Sequence, residues 1–249
     1  MKKEILTFEN VYLNQASSLV GKKEYEGPLG YRFDAFEKDE YFGCKDFEEA
    51  ESEMVRRNIN LLLSKSNLDY NDIDVVFGGD LINQCTATSY SIKDTNIPFI
   101  GLYGACSTFI EGAVCASCII DGGFANKCIS FASSHFCAAE RQYRFPLEYG
   151  STRTPTSQNT VTGTGALLIT NEKNQIKIKH AVIGRIVDKG VKDANNMGAA
   201  MACAAADTIK RFFKATDYIP DDFDYIITGD LGIEGHSIAT EILNMDNIC

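Results

Sequence analysis

Residues 74–81 read DVVFGGDL and residues 224–231 read DYIITGDL, an offset of 150 with no gap. The correspondence extends upstream, pairing Ile59 with Ile209, Leu62 with Phe212, Asp72 with Asp222 and Ile73 with Phe223. Each copy predicts an apolar helix, a short acidic turn, a buried-type strand and a Gly-Asp-Leu end. Self-similarity at one long offset indicates a duplicated α/β half rather than a solenoid of short repeats. The two copies are continued unequally. About ninety residues of strand and helix pattern follow the first, up to Thr170, whereas 18 follow the second. The second half is therefore expected to be incomplete.

The chain of 249 residues suits one large or two small domains, and its 45% apolar and 23% charged content is that of a globular protein. A net charge of −10 without a basic block argues against nucleic acid and against a membrane surface held by charge alone. No apolar run is long enough to span a bilayer. The opening MKKEILTFENVYLN lacks the apolar stretch of a signal peptide. Nine cysteines, an odd number mostly inside apolar runs, imply a reducing compartment and no disulfide framework. Cys115 and Cys118 form a CxxC inside a helical segment, without a second cysteine pair or nearby histidine to support metal or redox chemistry.

The periodicities predict an edge strand and loops over 1–43 and helices over 46–66, 84–94, 107–121, 197–214 and from about 233. Strands are predicted at 75–78, 98–101, 128–133, 165–170 and 225–228, with one or two more over 176–187. Asp46 is placed to cap its helix, and a long polar loop covers 135–162. Strands apolar on both faces and alternating with helices indicate a mostly parallel sheet covered on both sides.

The sharpest motif is 99–112, FIGLYGACSTFIEG. A strand enters a Gly-rich turn and then a helix of small residues, which puts Cys106 at a helix N-terminus, where thiolate is favoured. A buried structural cysteine is the alternative. This segment resembles the nucleophile turn of the thiolase superfamily, and 161–169, VTGTGALLI, resembles the Gly-rich strand entry near the end of that fold's first half. Within the superfamily the chain resembles the stage V sporulation protein AD family. The resemblance is carried by GDLINQ at 79–84, GACST at 104–108, DGGFA at 121–125, SSH at 133–135, ERQYRFP at 140–146, TVTG at 160–163 and NMGAAM at 196–201. It implies a thiolase-like α/β fold of two pseudo-twofold-related halves, here 1–172 and an incomplete 173–249, with roughly the last quarter of the family's length missing. Three explanations stand for the short second half: a fragment or frameshifted product, a form that completes its sheet by dimerising, or a remnant.

The family is associated with uptake of dipicolinic acid (pyridine-2,6-dicarboxylate), with calcium, into the forespore, alongside other proteins of its operon, some of them membrane proteins. The resemblance implies a non-catalytic binding protein with no cofactor of its own. It further implies a homodimer through first-half strands, soluble or peripheral at the forespore inner membrane. The residues also argue against condensation chemistry: at the second-half strand end, where thiolase-like enzymes place a histidine, stand Gly229 and Asp230, and His236 lies six residues beyond the latter. Acyl transfer or thioester hydrolysis on Cys106, and a scaffold that binds no small molecule, are the competing readings. The candidate ligand residues are Asp80, Cys106, His135, Arg144 and Asp230. Asp80 and Asp230, at equivalent strand ends, are candidates for calcium contacts as well as for helix caps. Arg144 and its neighbour Arg141 suit a carboxylate or a surface pair with Glu140 and Glu148. His135 is a ligand contact or a structural histidine, and His180, in a Lys-rich strand, is expected at the surface.

Overall fold

The computed structural model describes residues 4–144, 154–246 and 248. Pro146 and Glu148, in the expected polar loop, lie outside that set. The strands are β1 (Leu6–Thr7), β2 (Tyr12–Gly21), β3 (Ala35–Glu37), β4 (Val75–Gly79), β5 (Phe99–Gly101), β6 (Lys127–Ser134), β7 (Gly163–Thr170), β8 (Ile176–Lys177) and β9 (His180–Ala181). The α-helices are α1 (Lys22–Tyr25), α2 (Phe47–Ser66), α3 (Thr86–Ile92), α4 (Thr108–Asp121), α5 (Met197–Ala215) and α6 (Gly232–Asn244). The chain forms two compact units. The larger comprises 8–143 and 160–179; the smaller takes the N-terminal residues, 144–159 and everything from His180 onward. The boundary expected at 172/173 falls inside the larger unit, because β8 pairs with Tyr12 and Leu13 of β2 and ties the chain to that sheet.

The larger unit is built on a sheet of order β3-β2-β7-β6-β4-β5, with β8 also on β2. β4 is parallel to β5 and β6, and β2 to β3, whereas β7 runs antiparallel to β2 and β6. Successive side chains point to opposite faces of a strand. Val76, Ile129 and Phe131 therefore meet Val55, Ile59, Leu62 and Leu63 of α2 on one face. On the other, a side chain at Gly112 of α4 would run into Ser130 and Phe77, so that helix lies close against the sheet. The five large apolar side chains that α2 buries, Met54, Val55, Ile59, Leu62 and Leu63, contribute roughly 10 kcal/mol by burial.

The sequence expectation of an edge strand before residue 43 is corrected. β2 is ten residues long and interior, between β3 and β7. Its Asn-Gln and Ser-Ser pairs hid the strand pattern. Ser17 is buried and donates to the Asn58 carbonyl at 3.2 Å, and Ser18 is held by Asp34, so the two serines are satisfied in place.

In the smaller unit α5 and α6 cross at two glycines. A Cβ at Gly198 would sit 2.0 Å from the Leu231 carbonyl oxygen, and one at Gly235 would sit 2.6 Å from that of Gly198. An aromatic cluster of Phe212, Phe213, Tyr218 and Phe223 closes the end of α5. The strand expected at 225–228 does not form: that stretch makes no sheet bridge to any described residue, and Tyr225 and Ile227 are exposed. A strand is stabilised by neighbours it pairs with, and the described residues of this unit bring none beside it.

The 150-residue repeat otherwise survives in detail. Asp46 caps α2 by accepting from Glu49 N, and Asn196 caps α5 by accepting from Ala199 N. The 3-10 turns Tyr70–Asp72 and Pro220–Asp222 correspond, and in each the third residue's carboxylate accepts a backbone N–H, Asp69 to Asp72 at 2.8 Å and Ile219 to Asp222 at 2.9 Å.

Candidate functional site

The chemistry-bearing residues of the larger unit gather where β4, β5 and β6 end, the place where open α/β sheets bind ligands. Two turns meet there. The turn after β5 begins with Leu102, whose N–H returns to the Gly78 carbonyl at 2.8 Å. Leu102 lies so close to β4 that a Cβ at Gly79 would be 1.9 Å from its carbonyl oxygen. That oxygen also accepts from Cys85 Sγ at 3.1 Å, joining the turn after β5 to the turn after β4. Ala105 (φ +49°), Gln84 (φ +63°) and Cys85 (φ +53°) all occupy the left-handed region, which costs a residue with a side chain of order 1 kcal/mol. Such strain persists where surrounding structure imposes it, commonly at binding and catalytic sites.

Cys106 is exposed on the 3-10 turn Ala105–Ser107 that leads directly into α4. Gly104 N donates to Thr108 Oγ1 at 3.1 Å and Ser107 Oγ to the Gly104 carbonyl at 2.8 Å, fixing the turn. Next to it Tyr103 donates to Asn83 Oδ1 at 3.2 Å, and Asn83 N to Glu140 Oε1 at 3.3 Å. A hydrogen bond with Tyr143, then burial, pushes the Tyr103 phenol up to about 12. The group stays protonated at neutral pH, with its one O–H given to Asn83. The arrangement offers an exposed thiol at a helix start beside phenol and amide groups.

The structure places the other candidate residues differently. Asp80 is buried, with Oδ1 accepting from Ile82 N at 2.8 Å and Oδ2 from Thr88 N at 2.7 Å and from the Thr88 hydroxyl. Both oxygens accept from the turn and from α3, which is the role the cap reading gives the residue. Asp230 repeats half of this: its Oδ1 accepts from Gly232 N at 2.8 Å, and the carboxylate is exposed. Among the described residues no cluster of three or more His, Cys, Asp or Glu could hold a metal ion. His135 is buried, with Nε2 against the Glu40 carbonyl at 2.9 Å and Nδ1 accepting from Cys137 N at 3.2 Å. Both ring nitrogens are thus spent on backbone, which corrects its assignment as a ligand contact. Arg144 ends the 3-10 turn Arg141–Arg144, and its Nε is buried with no hydrogen-bond partner among the described residues. His180 is half-buried, with Nδ1 3.2 Å from Thr7 Oγ1 and its ring edge-on to Tyr218. His236 is exposed on α6. Burial raises the thiols of Cys115 and Cys118, which disfavours thiolate and hence metal or redox use.

Sequence reasoning missed Glu51. It reads as one of the acidic residues of the first turns of α2, yet it is buried, with Oε1 accepting from Ser133 Oγ at 2.7 Å and Oε2 without a partner. Burial foremost, with Asp80 nearby, pushes its carboxyl up to about 8, against the Ser133 bond. The available signal was its spacing: Glu51 lies three and four residues before Met54 and Val55, on the stripe that α2 buries.

A sequence model of a family described as stage V sporulation protein AD matches residues 2–249. The stage V sporulation protein AD of Bacillus subtilis (strain 168) is 42% identical over 245 residues, covering 98% of this chain and 72% of that protein. Among solved structures, 3-oxoacyl-[acyl-carrier-protein] synthase III from Aquifex aeolicus VF5 has a TM-score of 0.61 at 14% identity, over 94% of this chain and 81% of that one. A single-substitution variant of OleA from Xanthomonas campestris has a TM-score of 0.63 at 12% identity, over 96% and 82%. At such identities these two speak for the fold alone, which is thiolase-like.

Proposed function

As a member of the stage V sporulation protein AD family, the chain acts, we propose, as a non-catalytic binding protein for dipicolinic acid or its calcium complex. In this reading it serves the apparatus that moves the ligand into the forespore, working with membrane proteins of the same operon as a peripheral homodimer. No described helix is long and apolar enough to cross a membrane, which is compatible with a peripheral role.

The observation that carries the non-catalytic reading is the state of the histidines. The chain has three, and the unit that contains Cys106 has only His135, whose ring is fully engaged by backbone. A nucleophilic cysteine in acyl transfer works with a base within hydrogen-bond reach. The strained turns beside exposed Cys106 favour a ligand contact instead. Arg144, with an unpartnered buried N–H, is suited to a carboxylate. In this reading calcium enters with the ligand, as part of the cargo.

A thermal melt with dipicolinate, calcium or both tests the reading. A ligand specific for the folded state adds about 2.7 kcal/mol at a hundredfold excess over Kd. A saturable shift with dipicolinate and none with benzoate, weakened in Cys106→Ala and Arg144→Gln, is expected. A cooperative melt that no dicarboxylate moves would overturn it. An acyl adduct on Cys106, seen by intact mass after incubation with acyl-CoA, would instead establish acyltransferase chemistry.

A further inference from the structure

The segment between β2 and α2 presents apolar and aromatic side chains that the candidate site does not use. After Gly21, α1 and the 3-10 turn Gly30–Arg32 fold into a tight loop. Gly27 N donates to the Glu24 carbonyl at 3.1 Å and Gly30 N to the Gly27 carbonyl at 3.0 Å, and a side chain at Gly30 would run into the Tyr25 carbonyl. Tyr25 stacks on Phe36 of β3 with ring centroids 3.6 Å apart. Leu29 and Tyr31 of this loop are 60% and 75% exposed, and Phe136, which follows β6, is exposed beside Lys23. The loop is held by its own backbone with large apolar groups turned to solvent. The charges around it are sorted. Thr162 N donates to Glu24 Oε1 at 3.0 Å, Glu26 lies 3.9 Å from Lys22, Lys65 donates to Asp34 at 2.6 Å and Arg57 to Glu37 at 3.1 Å. Every carboxylate of 22–37 therefore has a partner. Lys23 and Arg32 have no carboxylate partner among the described residues. They lie against aromatic faces, Lys23 Nζ 5.9 Å from the Phe136 centroid and the Arg32 guanidinium carbon 4.9 Å from that of Tyr31.

We propose that this loop is an interfacial anchor that seats Leu29, Tyr31 and Phe136 in the headgroup region of an anionic lipid bilayer, with Lys23 and Arg32 against the lipid phosphates. Rings with a polar tip and long cationic side chains are the groups that settle at headgroup level. The net charge of −10 opposes approach to an anionic surface, so apolar insertion supplies the affinity and the two cations set the orientation. The position of the loop in the fold fits this use. β7 runs antiparallel to both β2 and β6, and β4 is parallel to β5 and β6, so β2 ends at the same end of the sheet as β4, β5 and β6. That is the end where the Cys106 turn lies, and a chain seated on the loop brings this end of the sheet to the membrane. The inference deepens the peripheral placement proposed above and rests on it for a membrane within reach; it needs nothing from the identity of the ligand.

The test floats the full 249-residue chain with protein-free vesicles of phosphatidylglycerol and phosphatidylcholine in about equal parts, and with vesicles of phosphatidylcholine alone. The expected result is binding to the mixed vesicles that weakens, without vanishing, as salt rises. Leu29→Ser combined with Tyr31→Ser should lower partitioning onto them roughly tenfold or more. Lys23→Gln combined with Arg32→Gln should reduce binding to the level seen with phosphatidylcholine. All four positions are exposed, so both double variants should melt at the parent's temperature and respond to dipicolinate as the parent does, which separates the anchor from the ligand reading. A parent chain that leaves protein-free vesicles unbound would overturn the proposal, as would a Leu29→Ser, Tyr31→Ser chain that binds as the parent does. In the first case, trypsin-sensitive binding to native bacterial membranes would identify a membrane protein as the partner and leave the peripheral placement standing.

Discussion

Replacing Glu51 tests whether burial of its carboxyl shapes the stability of the larger unit. Its carboxyl titrates near 8 in the fold, against an ordinary value of 4.5. Between those pH values the folded protein keeps a proton that the unfolded chain has released, so stability falls as pH rises through that window and levels off above it. The gap of about 3.5 in pKa, at 1.36 kcal/mol each, amounts to a loss of about 5 kcal/mol across the window, of which about 3 is incurred by pH 7. Glu51→Gln removes the titration while keeping an oxygen for Ser133. At pH 5 it places an amide N–H where the carboxyl O–H stands, so it should lie within about 1 kcal/mol of the parent. By pH 8.5 it should be more stable, the difference growing by up to about 4 kcal/mol. Urea unfolding followed by circular dichroism at pH 5, 6, 7 and 8.5 measures this directly. Groups elsewhere cancel in the difference. Glu51→Met, which carries the residue found at the equivalent Met201 of the second copy, should show the same flattening without an added polar group. A parent-to-variant difference that is constant from pH 5 to 8.5 in both would refute the argument. So would a variant that loses stability faster than the parent in alkali.

Other outcomes follow from the geometry. Asp80→Ala removes the acceptor for Ile82 N and for both Thr88 donors in a buried place, and should cost about 2–4 kcal/mol. Asp230→Ala, which loses one bond at an exposed site, should cost under about 1 kcal/mol in the same urea titration; equal costs would contradict the assignment of roles. Gly79→Ala forces a Cβ into the Leu102 carbonyl and should lower the melting temperature by several degrees, since one kcal/mol corresponds to about 2–4 °C in a chain of this size. Timed iodoacetamide labelling with mass mapping should modify exposed Cys106, Cys118 and Cys137 before Cys85 and Cys128, the last having its thiol pushed up to about 12 by burial. Early labelling of Cys128 would mean that the sheet opens readily.

The elements legible in the sequence were those whose stability is local or whose periodicity is uninterrupted. The α2 stripe of Met54, Ile59, Leu62 and Leu63 and the Asp46 cap could be read directly, as could the apolar runs of β4 and β6. β2 was not, because its Asn-Gln and Ser-Ser pairs break the apolar pattern, and the two serines are satisfied by partners distant in sequence, Asn58 and Asp34. The Cys106 turn was legible from Gly104 and the small helix after it. His135 and Asp80 were legible as strand-end residues but not as spent ones. A sequence shows that a side chain can bind; it does not show how many backbone N–H and C=O groups reach it first. Glu51 illustrates the converse, since nothing in the composition of an acidic helix start says which carboxyl turns inward. Alignment of the two repeat copies, with Met201 opposite Glu51, carried that information.

The duplicated segment separates local from non-local determinants within one chain. The caps at Asp46 and Asn196, the turns at Asp72 and Asp222 and the Asx turns at Asp80 and Asp230 form in both copies. Each needs only residues two or three positions away, and each contributes about 1 kcal/mol wherever it stands. The strand between them forms once, since a strand draws its stability from partners across the sheet. The same contrast decides what the two aspartates are for. The Oδ1 bond is common to both and belongs to the turn. Only the Oδ2 bond to Thr88 distinguishes Asp80, and Ile238 stands at the equivalent place in α6 with no hydroxyl to offer. The Gly-Asp-Leu motif is therefore accounted for twice by turn geometry.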